Sequence, residues 1–131
     1  MPMLYREAPL NSIWEGSGNV ICLDVMRALM REPEAGEALM SVLQEVRGAD
    51  RRYDAALEAH VARWPGLPAE AEARWFTESL ATLLTAASLL RNAPDAVAEG
   101  YVTSRVARER GSVHGAISGI DVAAILGRLG G

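Results

Sequence analysis

Apolar residues recur at helical spacing along most of the chain, and proline and glycine mark where each run stops. After a turn-rich opening over residues 1–18, residues 19–31 carry Val20, Leu23, Met26 and Leu29 at intervals of three, which predicts a first helix. Pro33 starts a second, because proline is tolerated in the first turn; its stripe is Ala35, Ala38, Leu39, Val42, Leu43 and Val46, and Gly48 ends it. Asp50 is a good N-cap for a third, with Tyr53, Ala56, Leu57, Val61 and Trp64 on one face until Pro65 and Gly66 break it. Pro68 opens a fourth, running to about Asn92 and apolar almost all round from Leu80 onward, which predicts a central helix covered by its neighbours. A fifth runs from Pro94 to near Gly111, and a short last helix carries Val122, Ile125, Leu126 and Leu129 behind a capping Asp121. With short loops and no convincing strand, the expected fold is all-α, an up-and-down antiparallel helical bundle. The rings of Trp64, Trp75 and Phe76, with the leucines, are expected to supply most of the burial.

Composition narrows the function. The chain has 131 residues, half of them hydrophobic, enough for one domain with an ordinary core. The apolar run over residues 80–90 is shorter than the roughly 20 residues a membrane span requires. The first residues resemble neither a secretion signal nor an Arg-rich leader, so a cytoplasmic location is expected. Cys22 is the single cysteine, which excludes a disulfide within one chain and predicts a buried thiol. Thirteen basic residues, all arginine, face seventeen acidic ones for a net charge of −4, a balance that argues against nucleic-acid binding by bulk charge.

The stretch that carries chemistry is Asn11-Ser12-Ile13-Trp14-Glu15-Gly16-Ser17-Gly18-Asn19. A carboxylate stands beside an aromatic ring and is followed by a Gly-Ser-Gly turn that opens a helix. An aromatic neighbour desolvates a carboxyl group and raises its pKa, as suits a general base or acid. Glycines let the backbone approach a ligand, and a helix start attracts anions. The same residues also fit a surface carboxylate compensating a helix dipole, with Ser17 or Asn19 as a cap. Gly16-Ser17-Gly18 is no dinucleotide fingerprint, because no strand precedes it and the third glycine is absent.

Taken with Tyr5-Arg6-Glu7-Ala8 before it and Leu23-Asp24-Val25-Met26-Arg27-Ala28-Leu29 after it, this stretch resembles the last conserved block of the acyl-CoA dehydrogenases, an aromatic residue, Glu-Gly-Thr and then a helix. Trp before Glu, Ser in place of Thr and the following Gly-Asn are similar to the alkylation-response branch, whose members also continue for about a hundred residues beyond this helix. The resemblance implies that the chain is a carboxy-terminal piece of an FAD-dependent flavoprotein: residues 1–31 end the dehydrogenase's helical domain, and residues 32–131 are a helical extension packed as one domain with it. It implies Glu15 as the general base that takes the proton alpha to an acyl-CoA thioester carbonyl. It implies Gly16, Ser17 and Asn19 as FAD contacts, and Trp14 as a wall of the acyl pocket, although Trp14 reads equally well as a core aromatic. The parent is expected to be a tetramer, and the isolated chain to be inactive because other domains build most of the pocket.

The same resemblance implies association with DNA through Arg27, which Arg51, Arg52, Arg105, Arg108 and Arg110 would extend into a basic face. Against it, Glu45, Asp50, Asp54 and Glu109 lie close enough in sequence to pair with these arginines. A third expectation is a purely structural role in fastening subunits. His60 falls on the apolar side of the third helix, and His114 lies in the glycine-rich loop; neither has a partner at metal-ligand spacing, so no metal is expected. Ser112 and Ser118 have no base arrangement around them.

Overall fold

The computed structural model describes Met3, Arg6, residues 18–113 and residues 115–128. The described residues form a helical bundle without strands: α1 (Gly18–Arg31), α2 (Pro33–Gln44), α3 (Arg51–Arg63), a 3₁₀ turn (Glu70–Glu72), α4 (Ala73–Asn92), α5 (Asp95–Tyr101) and α6 (Val122–Gly127). The twenty-residue α4 lies at the centre and packs against α1, α2, α3 and α5.

Local chemistry explains the boundaries. Pro33 stands in the first turn of α2, where its missing N–H costs nothing. Gly48, at φ +89°, turns the chain out of the end of α2 in a conformation that a side chain would strain. The Asp50 carboxylate then accepts the backbone N–H groups of Arg52 and Tyr53 and starts α3. Asp121 caps α6 in the same way, accepting from Ala124 N at 2.9 Å.

The core gathers Met26 of α1, Leu43 of α2, Tyr53 and Leu57 of α3, Trp64 after it, and Phe76, Leu80, Leu83, Ala86 and Ala87 of α4. Tyr53 is fully buried, and its hydroxyl donates to the carbonyl of Leu43 in the last turn of α2 at 2.8 Å. That bond ties α3 to an acceptor the helix end leaves available. Burial, with the nearby Asp54 carboxylate, pushes the Tyr53 phenol up to about 12. Arg52 joins the start of α3 to α5: its guanidinium donates to Asp50 and to Glu99 at 2.7 Å each, and to Thr103 Oγ1 at 3.0 Å. The hydrogen bond from Arg52 holds the Asp50 carboxyl below its ordinary range, and Arg52 is raised in turn.

The structure corrects several expectations. Helix α4 begins at Ala73 rather than Pro68, and it is covered on one side only, with Leu83 2% exposed but Leu84 40% and Trp75 51%. On α2 the inward residues are Leu39, Met40 and Leu43, while Ala35, Ala38 and Val42 face outward; on α3, Val61 faces outward. Cys22 is half-buried and free rather than enclosed. The fifth helix does not reach Gly111. It passes into a π-helical turn, Val102–Val106, where Ala107 N donates to Val102 O at 2.8 Å, and stops at Arg108, whose φ of 56° is left-handed. Arg105 and Arg108 are therefore not neighbours on one helix.

Candidate functional site

Trp14, Glu15, Gly16 and Ser17 lie outside the described residues; of the sequence motif, Gly18 and Asn19 fall within them. Asn19 sits exposed in the first turn of α1, and its carboxamide makes no hydrogen bond among the described residues. Below it, Cys22, Leu23, Met26 and Leu29 pack on the core and hold the helix against α4. The motif is thus fastened at its carboxy-terminal side to the central helix, with its polar residue turned away from the core.

Arg27 lies on the outer face of α1 and donates to Asp24 Oδ1 at 2.7 Å, with both side chains more than half exposed. Most of the other arginines singled out in the sequence are engaged too: Arg52 with Asp50 and Glu99, Arg108 with Glu78 at 3.5 Å, and Arg110 with the carbonyls of Ser104 and Gly111. The acidic partners are not always those expected from sequence. Glu45 pairs with Arg91 of α4, and Asp54 accepts the N–H of Gly48. Exposed pairs of this kind contribute about 0 to 1 kcal/mol each, so they describe a solvated face more than a source of stability.

The densest chemistry among the described residues is where α3 meets α4. His60 is 5% exposed, and its ring lies 5.0 Å from Trp64 and 5.3 Å from Phe76, centroid to centroid. Its Nδ1 is 2.8 Å from Ser79 Oγ. Burial lowers the His60 pKa, favouring the neutral ring. At the rim, Glu72 accepts from Arg63 at 2.6 Å and from the Trp64 indole at 3.2 Å, and Arg63 lies over the Trp75 ring at 3.7 Å. The Arg63 bond, more than the Trp64 bond, holds the Glu72 carboxyl below its ordinary value. A cleft of about 370 Å³ opens beside His60, lined by Leu29, Leu39, Met40, Val61, Trp64, Leu67, Phe76 and Leu80 among others. His60 was legible in sequence as a core position. Ser79 was not, because its partner is nineteen residues away on another helix. Among the described residues no group of three or more His, Cys, Asp or Glu side chains could hold a metal, and no helix is long and apolar enough to cross a membrane.

The described residues form an all-α bundle, and comparison with known proteins gives its class, an acyl-CoA dehydrogenase-like fragment. The chain is 40% identical over 101 residues to a protein of Escherichia coli (strain K12) named "Putative acyl-CoA dehydrogenase AidB". The similarity marks the chain as an acyl-CoA dehydrogenase-like fragment of the AidB type. The matched stretch covers 77% of this chain but 18% of that relative, so the chain spans less than a fifth of the relative's length. No family model matches the chain.

Proposed function

We propose that this chain is the carboxy-terminal helical part of an FAD-dependent flavoprotein whose reaction is the alpha,beta-dehydrogenation of an acyl-CoA thioester. The observation that carries the proposal is the 40% identity to the AidB protein, to which the Trp14-Glu15-Gly16-Ser17 motif adds a chemical reading. Residues 1–31 would end the dehydrogenase's helical domain, with residues 32–131 as its extension.

Glu15 is the base in this reading. Its carboxylate takes the alpha proton, which the thioester carbonyl acidifies, and Trp14 beside it keeps water from the acyl chain. FAD, when bound, would supply the two-electron oxidant for the hydride of the beta carbon. Gly16 would permit close approach of the backbone, and the Ser17 hydroxyl and Asn19 carboxamide would hold FAD by hydrogen bonds. The exposed, unengaged carboxamide of Asn19 fits that task. A proton acceptor must stand about 3 to 3.5 Å from the atom it attacks, with cofactor and substrate aligned. One helix entrance cannot impose that alignment alone, so the remaining domains of a cytoplasmic, tetrameric parent would complete the pocket.

Anaerobic mixing of the intact, flavin-loaded parent with a series of acyl-CoAs tests the reading. Bleaching of the flavin by at least one acyl-CoA is expected, slowed about 10²-fold or more by Glu15→Gln. Bleaching at an unchanged rate in the variant would remove Glu15 from the role of base.

A further inference from the structure

The loop that follows the π-helical turn closes on itself. Gly111 N donates to the carbonyl of Ala116 at 2.7 Å, and a Cβ on Gly111 would stand 2.8 Å from that of Ala116, so the closure requires glycine. Between this loop and the turn lies a cleft of about 210 Å³. Its lining is of two kinds: Arg105, Arg110 and Ser112 are polar, and Val113, Ile117 and Ile120 are apolar. No carboxylate lines it, although the chain as a whole has a net charge of −4. An attraction for anions here is therefore local and owes nothing to bulk charge.

The two arginines differ from most of the others. Arg27, Arg47, Arg52, Arg63, Arg91 and Arg108 are ion-paired, whereas Arg105 has no partner among the described residues and Arg110 meets only carbonyls. Arg110 Nε donates to Ser104 O at 3.0 Å and Nη1 to Gly111 O at 3.3 Å, which fixes the guanidinium across the loop without neutralising it. No described group takes the donors on its Nη2. Like charges in a cleft with apolar walls concentrate their field on what enters it. A guanidinium presents its donors in a plane that matches the two oxygens of a carboxylate.

We propose that this cleft binds a compact monocarboxylate with an apolar body, the carboxylate accepting from Arg105 and Arg110 while the body rests on Val113, Ile117 and Ile120. The cleft shares no described residue with the dehydrogenase site.

The test is a titration of the 131-residue chain with benzoate and with benzamide, an uncharged analogue of the same shape, followed by the NMR shifts of the Ser112, Gly115 and Ile117 amides. Benzoate is expected to saturate with a Kd of about 1 mM or tighter, to weaken with added salt, and to bind at least about tenfold more tightly than benzamide. Arg105→Gln breaks no contact among the described residues and should weaken benzoate about tenfold with the helical circular dichroism retained. Arg74→Gln, on α4 and likewise without an ion pair among the described residues, should leave benzoate binding unchanged. Should Arg105→Gln fail to fold, Ser112→Glu serves instead: a carboxylate set beside the arginines at an exposed position should abolish benzoate binding. The proposal is overturned if benzoate does not saturate, if benzamide binds as tightly, if Arg105→Gln keeps the affinity, or if Arg74→Gln loses as much. Inorganic phosphate binding as tightly as benzoate would take the apolar body out of recognition and overturn it. A short DNA duplex that shifts these amides where benzoate does not would give the arginines to a nucleic-acid face and overturn it as well.

Discussion

The entrance to α1 and the seam between α3 and α4 are built on opposite principles. The entrance carries the recognisable motif, yet what is described of it is polar and exposed: Asn19 is open and Arg27 pairs with Asp24 on the outer face. The seam carries no motif, yet it holds Tyr53, Leu57, His60, Phe76, Leu80 and Leu83, all buried. Residues at the entrance are therefore open to selection for chemistry at little cost in stability, whereas the seam is fixed by packing.

Leu83→Ala should show the largest stability effect, a loss of about 2 to 5 kcal/mol in urea denaturation followed by circular dichroism, because it empties a filled position in the core. Leu84→Ala, one residue on, should cost under about 1 kcal/mol. Similar losses for the two would mean that α4 is covered all round, as the sequence suggested, and the contrast between regions would weaken. Tyr53→Phe comes next. It leaves the Leu43 carbonyl buried without its donor and should cost about 1 to 3 kcal/mol by the same measurement. Asp50→Ala should remove about 1 kcal/mol by uncapping α3 and releasing Arg52.

Acid should act on the seam through His60. Its folded pKa lies below the unperturbed 6.5, so at lower pH the unfolded chain binds a proton that the folded chain resists. Stability should fall as pH drops through 6.5, and the loss should stop growing once the folded pKa has been passed. In His60→Phe that part of the slope should vanish, and unchanged slopes in the two proteins would remove His60 as its source.

Much of this was legible in the sequence, for reasons that differ by region. The caps and breaks at Pro33, Gly48, Asp50 and Asp121 act over a few residues, so reading them needs no tertiary information, and the structure uses each as expected. Which side of a helix is buried depends on what packs against it. Leu84 and Trp75 were taken for core because hydrophobicity alone does not reveal that α4 leaves one face uncovered. The π-helical turn after Tyr101 was hidden for a related reason. No local signal encodes it, nor the close approach of α5 to the last segment, where a Cβ on Gly100 would stand 3.3 Å from Ile120. His60 was placed correctly by periodicity, but its Ser79 partner and the cleft arise only once two helices meet. Trp14, Glu15, Gly16 and Ser17 rest on sequence resemblance, with Asn19 the single predicted cofactor contact whose surroundings are described.

The division between a chemical entrance and a structural seam is tested most directly by Glu15→Gln and Leu83→Ala in the proposed flavin-loaded parent, each measured for acyl-CoA-driven flavin bleaching and for urea unfolding. The account predicts that Glu15→Gln slows bleaching about 10²-fold or more and leaves unfolding unchanged, while Leu83→Ala lowers the unfolding midpoint and, where the protein remains folded, leaves bleaching near the wild-type rate. Equal bleaching in Glu15→Gln and the wild type, or a loss of stability in that variant matching the loss in Leu83→Ala, would contradict it.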